Sequence, residues 1–349
     1  MIARSSSRPA GMWAAFGGAA LFGIGTPLAK LLVASVRPLM LAALLYLGCG
    51  LGLFAYRRLR RASPGRLAPG DAPGWVAAVA FGGVLAPALL MWGLKGSSSF
   101  GASLLLNAET VFTVLIARIA FKEHIDLRVA AGITAIVAGA VIVGWRNAGG
   151  LGAAWPSLAI AAACLAWAID NNLTRRVSLA DASWLASMKG LAAGSVSLIL
   201  ALSQGAALPS WRTTALAMAV GFVSYGASLT LFVQALRGLG AARTAAYFAV
   251  APFFGAAVAA ALGAPVSAPL LAAGLLMAAG VWLHAGERHE HEHTHEPLEH
   301  EHAHAHDEHH RHDHDPPVPA GVRHSHRHRH EPITHRHAHF PDAHHRHLH

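Results

Sequence analysis

The sequence predicts an all-α integral membrane protein: ten transmembrane helices arranged as two inverted five-helix repeats, followed by a disordered cytoplasmic tail. Three observations carry this expectation. Residues 1–286 are almost wholly apolar, they divide into ten runs of membrane-spanning length, and the last 63 residues hold 23 of the 25 histidines. The corresponding domains are 1–148, 149–286 and 287–349.

A hydrocarbon core of about 30 Å takes about 20 apolar residues of helix. Such runs cover roughly 11–33, 37–56, 73–94, 99–120, 127–146, 153–172, 182–203, 213–235, 241–262 and 267–286. Polar or Pro/Gly breaks separate them, as at Ser63-Pro64-Gly65 and Leu208-Pro209-Ser210. In lipid every backbone polar group must be bonded within the protein, and runs this long achieve that as helices rather than barrel strands. The first run follows Arg4 and Arg8 and leads to Ala34-Ser35-Val36, which imitates a signal peptide. It is too long for a signal h-region and further spans follow, so an uncleaved first helix is expected.

Residues 1–286 carry 20 Lys and Arg against six acids, Asp71, Glu109, Glu123, Asp126, Asp170 and Asp181, a formal +14. The tail carries seven Arg, no Lys and 12 acids, a formal −5. No basic stripe interleaved with aromatics is present, which argues against nucleic acid as a partner. The basic residues set orientation instead. With the N-terminus cytoplasmic, 14 of those near helix ends fall inside and five, Lys30, Arg37, Lys95, Arg146 and Arg212, fall outside. An even number of spans returns the C-terminus to the cytoplasm, and the cell inner membrane is the expected location. Cys49 and Cys164 sit alone in apolar runs, without metal-ligand or disulfide spacing. Trp13, Trp75, Trp145 and Trp155 fall near helix ends, as interface anchors do.

The halves look like weak copies. At an offset of 145, Phe22 falls against Trp167, Ile24 against Ile169 and Lys30 against Arg175; at 142, Val111-Phe112 falls against Phe253-Phe254. Five helices per half is an odd number, so the second copy has to be inverted. Inverted repeats place a substrate site near the midplane, at the repeat interface.

The first half carries Ala102-Ser103-Leu104-Leu105-Leu106-Asn107-Ala108-Glu109-Thr110-Val111-Phe112-Thr113, then Phe121-Lys122-Glu123. The second carries Cys164-Leu165-Ala166-Trp167-Ala168-Ile169-Asp170-Asn171-Asn172 and Ala246-Tyr247-Phe248-Ala249-Val250-Ala251-Pro252-Phe253. On these segments the chain resembles the EamA family of the drug/metabolite transporter superfamily over about residues 11–286. The resemblance implies a five-plus-five helix architecture and secondary transport of a small metabolite or drug, often as export. Two departures stand out: Thr110 occupies a position where the family often has proline, and Gly263-Ala264-Pro265 stands where a partner of Glu123 is usual.

Ionisable groups inside spans cost about 2.5–3.5 kcal/mol each to insert and so tend to face an interior cavity. Glu109 lies near the centre of the fourth run, with Asn107 beside it, and Lys189 lies within the seventh. Together they suit a zwitterionic small-molecule substrate, or Glu109 suits a coupling proton; the structural alternative is an ion pair that locks the bundle. Asp170 precedes Asn171 and Asn172, but Arg175 and Arg176 suggest an interfacial cap there. Lys30 reads as snorkelling. Tyr225, Gln234 and Tyr247 are candidate pathway residues, and Pro27, Pro87 and Pro252 candidate kinks, Pro252 the foremost. No nucleophile–base set, phosphate loop or closed metal site occurs in the body, so enzymatic activity is not expected.

The tail breaks at Pro297, Pro316, Pro317, Pro319, Pro332 and Pro341 and has little apolar sequence, which predicts disorder. Its candidate metal ligands are His289, His291, His293, His295, His300, His302, His304, His306, His309, His310, His312, His314, His324, His326, His328 and His330. Neutral imidazole ligates divalent transition metals, here Zn, Ni, Co or Cu, without selecting among them. Two other functions fit the same features: a divalent metal transporter that uses the tail as a collector, and a non-transporting membrane-anchored metal store or sensor. A homodimer is compatible with each of these functions.

Overall fold

The computed structural model describes residues 7–62, 65, 67, 70–121, 127–147, 155–177, 181–239, 244, 247–285 and four six-residue segments of the tail. Met1–Glu287 and Arg288–His349 form separate compact units.

The first unit is all-helical among its described residues. Its helices are α1 (Ser7–Val33), α2 (Pro38–Leu59), α3 (Ala72–Ala78), α4 (Ala86–Gly96), α5 (Ser99–Leu105), α6 (Ala108–Phe121), α7 (Leu127–Asn147), α8 (Trp155–Val177), α9 (Ala182–Ser203), α10 (Trp211–Gly221), α11 (Ser228–Leu239), α12 (Ala251–Ala261) and α13 (Ala268–Ala285). A π-helical segment, Val79–Leu85, joins α3 to α4, and a second, Phe222–Ala227, joins α10 to α11. Seven helical stretches among the described residues have the length and hydropathy to cross a membrane, and Ala251–Ala261 and Ala268–Leu283 are shorter apolar helices. The chain is thus a multi-pass membrane protein.

Local chemistry fixes the helix ends. Pro38 opens α2 at a position whose N–H has no intrahelical partner. The Ser98 hydroxyl accepts from Gly101 N–H at 3.1 Å, and the Asp181 carboxylate accepts from Ser183 and Trp184 N–H at 2.9 and 3.1 Å. Gly263, at φ +86°, follows α12 in the left-handed region that glycine adopts without strain, where the family resemblance would have placed an acid.

Four of the expected spans are interrupted, the eighth by the π-helical segment Phe222–Ala227. The third is the α3–α4 stretch with its π-helical turn. The fourth breaks at Leu106-Asn107, and the ninth at Ala249-Val250 before α12 begins. Residues 240–243, 245 and 246 lie outside the described residues, as does Glu123.

α2 lies against α9, and also against α10 and the π segment Phe222–Ala227. A methyl group at Gly50 would strike Leu191 and Gly190, and one at Gly190 would strike Gly50, so small side chains set this helix spacing. α1 packs on α11 and α12, α8 on α4 and α6, α5 on α12, and α7 on α13. The core runs through Met40, Leu41, Leu45, Leu90, Met91, Leu94 and Ile160, while Leu31, Phe54, Ile119, Val141, Ile199 and Leu275 stay exposed as a lipid-facing surface would.

In the second unit, β1 (His289–Thr294) pairs antiparallel with β4 (Thr334–His339), and β2 (Glu299–His304) with β3 (His324–Arg329). These segments depart from the disorder expected of the tail. Their register sets glutamates of the acidic first part opposite arginines of the basic last part, a match that a scan for apolar content does not register. His295, His306, His309, His310, His312, His314 and His330 lie outside the described residues.

Candidate functional site

The site begins with a backbone fault. In the π segment the Ala86 N–H bonds the Phe81 carbonyl five residues back. The next donor in that register is residue 87, and Pro87 has no N–H. The Gly82 carbonyl is therefore free for side chains and takes two: Tyr46 Oη donates to it at 2.8 Å and Trp167 Nε1 at 3.0 Å. A buried carbonyl left without donors costs about 1–3 kcal/mol, so this pair from α2 and α8 holds the irregular turn in place.

One helical turn along α8 from Trp167 sits Asp170, 4% exposed. Its carboxylate pairs with the Lys189 ammonium of α9 through Oδ2 and accepts from Thr174 Oγ1 at 3.0 Å through Oδ1. Gly82 makes room for it: a Cβ there would fall on the Asp170 side chain. Asp170 is thus no interfacial cap. It is the buried anion that compensates a lysine inside the bundle, which is the arrangement a low-dielectric interior demands.

The neighbouring Asn171 Nδ2 donates to Glu109 Oε1 at 2.7 Å. Glu109 stands in the first turn of α6, where the helix dipole favours a negative charge. Asn172 Nδ2 donates to Ala168 O at 2.8 Å, and Asn107, buried in the break before α6, donates to Leu104 O at 2.9 Å. The buried thiol of Cys164 lies 3.7 Å from Leu105 O in the same break.

The structure therefore brings Glu109, Asp170 and Lys189 into one cluster, with α2, the π segment, α6, α8 and α9 contributing. It does not pair Glu109 with Lys189 directly. An aromatic chain continues from Tyr46: Tyr225 at 5.6 Å between ring centroids, then Phe22 at 5.8 Å, Phe248 at 5.5 Å and Phe232 at 4.9 Å. The Tyr247 ring lies 4.9 Å from that of Phe16, tilted by 49°, and Gln234 is exposed. Pro252 is the second residue of α12, half-buried, at a position that needs no N–H acceptor. Lys30 does not simply snorkel: its Nζ donates to Leu94 O at 2.6 Å and Lys95 O at 3.3 Å, closing the end of α4. Tyr46, Gly82 and Trp167 are site residues that sequence reading misses; the available signal is Pro87 standing five residues after Gly82 in an apolar run.

Chemically, the cluster offers one cation, two carboxylates, an amide and aromatic faces. Among the described residues of the first unit no group of three or more His, Cys, Asp or Glu is placed to hold a metal ion.

Residues 9–145 match the EamA-like transporter family. An uncharacterized transporter of Methanothermobacter thermautotrophicus is 28% identical over 284 residues, covering 75% of this chain and 82% of the relative. A protein of known crystal structure is 21% identical and superposes with a TM-score of 0.58 over 81% of this chain and 98% of its own; that likeness is one of fold.

Proposed function

We propose that this chain is an inner-membrane secondary transporter that exports a small organic metabolite or drug, with its substrate or coupling ion bound at the Glu109–Asp170–Lys189 cluster. The observation that carries the reading is the cluster itself: charged groups from α6, α8 and α9 gathered inside an apolar bundle, at a cost that a purely structural core avoids. A zwitterionic substrate fits best. Its carboxylate would compete with Asp170 for Lys189, and its ammonium would meet the carboxylates released.

An inverted repeat supports alternating access. The π segments begin at Val79 and Phe222, and α6 and α12 begin at Ala108 and Ala251; both pairs are 143 residues apart. Packing repeats in the same sense. α1 on the α10–α11 stretch corresponds to α8 on the α3–α4 stretch, α1 on α12 to α8 on α6, and α2–α9 and α7–α13 correspond to themselves. In this reading domains 1–148 and 149–286 rock about the cluster, both termini are cytoplasmic, and the tail binds a divalent transition metal.

Purified full-length protein in proteoliposomes tests this with a panel of labelled amino acids and amine-bearing drugs. We expect flux of at least one, reduced at least tenfold in Glu109→Gln and in Lys189→Ala. Flux unchanged in both variants would remove the site, and metal-driven growth phenotypes lost in the same variants would redirect the substrate to the ion.

A further inference from the structure

We propose that the tail holds metal across strands, in two composite sites that each need histidines from two distant segments. This rests on the reading of the tail as a transition-metal ligand and adds where and how the ion sits. In the first ladder His289, His291 and His293 are register partners of His339, His337 and His335. In the second, His300, His302 and His304 are partners of His328, His326 and His324. Every histidine of all four strands is opposite a histidine.

The remaining positions are matched as well. Glu292 is opposite Arg336, Glu299 opposite Arg329 and Glu301 opposite Arg327. A slip of one residue would set every one of these histidines against a residue other than histidine and lose both sets at once. Odd slips are therefore disfavoured twice, by imidazole and by charge, while a slip of two residues keeps histidine opposite histidine over most of each ladder. Register partners in an antiparallel ladder have Cα atoms about 4.5–5.5 Å apart, whereas residues two apart along one strand are separated by about 6.5–7 Å. With metal–imidazole bonds of about 2.0–2.1 Å, an ion is reached more readily by partners across the ladder than by neighbours along it. The pairing is nested, β2 with β3 and β1 with β4, so the outer site joins segments at opposite ends of the tail. The fitting ligand is a divalent transition-metal ion.

The test uses full-length protein in detergent and Ni²⁺ as the probe, with bound metal counted by equilibrium dialysis. Three variants are compared with wild type: His289, His291 and His293 to Ala; His335, His337 and His339 to Ala; and all six together. The proposal expects each triple variant to lose the same share of bound Ni²⁺ and the six-fold variant to lose no more than either. Additive losses, or no loss in either triple, would overturn the shared site while leaving the tail a metal ligand. Deletion of 287–349 separates the two levels: if it leaves bound Ni²⁺ unchanged, the tail-metal reading itself fails and this proposal with it.

Discussion

The crossing of α8 over the α3–α4 stretch and the crossing of α1 over the α10–α11 stretch are built alike and loaded differently. Each passes a π-helical segment, and in each a glycine lets the partner side chain approach. At the first the glycine is Gly82 of the π segment and the partner is Asp170 of α8; at the second the glycine is Gly25 of α1 and the partner is Ser224 of the π segment. The Ser224 hydroxyl is buried without a hydrogen-bond partner, whereas Asp170 carries an ion pair and a hydrogen bond. One helix geometry can therefore hold either a small uncharged side chain or a charged one, and this molecule places its charge in one crossing. Pseudo-symmetry describes the scaffold and asymmetry describes the site.

The largest effect tests that asymmetry directly. Asp170→Ala leaves Lys189 inside the bundle without its anion, and breaking a buried pair from one side costs about 3–5 kcal/mol. With the Lys189 side chain 23% exposed, the lower end of that range is expected, read as thermal unfolding of detergent-solubilised protein. Replacing both partners, Asp170→Leu with Lys189→Met, should recover most of the loss while leaving transport dead. Recovery of transport in the double variant would make the pair a structural lock and nothing more.

A smaller effect comes from filling the two glycines. Gly82→Ala drives a methyl into the Asp170 side chain, and overpacking of this kind costs about 1–3 kcal/mol. Gly25→Ala meets Ser224 Cβ at 2.8 Å and should cost a comparable amount. The crossings should then part company. Ser224→Gly should restore Gly25→Ala to near wild-type stability, whereas Asp170→Gly should fail to restore Gly82→Ala because it strands Lys189. Equal rescue at both would erase the distinction.

Run length and charge bias make the membrane body legible in sequence, since a span is a local property of about 20 residues. The site is less so. Asp170 is hidden by Arg175 and Arg176, which suggest an interface, and its partner Lys189 lies on another helix where no periodicity points to it. The π segments leave the apolar pattern intact, so the free Gly82 carbonyl shows only through Pro87. In the tail the His-x-His alternation is plain, but pairing joins His289 to His339, and that register emerges only when the acidic and basic parts are laid against each other in reverse.

The smallest effect compares the two ends of the α2–α9 pair. At one end Arg57, buried, bonds Asp181 at 2.8 Å and also reaches Ser183. At the other Arg37, exposed, donates to Gln204 O at 3.0 Å. Partial burial pushes the Asp181 carboxyl up, but hydrogen bonds from Ser183, Arg57 and the Trp184 N–H outweigh it and hold the group down at about 2, below its ordinary 3.8. A carboxylate depressed on folding stabilises the folded state above its unfolded pKa and loses that contribution as pH falls through the folded value. Asp181→Ala removes a helix cap and a solvent-screened ion pair, together about 0.5–1 kcal/mol. The deficit against wild type should be full at pH 5, shrink below about pH 4 and be largely lost by about pH 2. Arg37→Ala should cost a few tenths of a kcal/mol with no such dependence. An Asp181→Ala deficit that persisted at pH 2 would mean that the carboxylate is not what secures this end, and the two ends would differ only in burial.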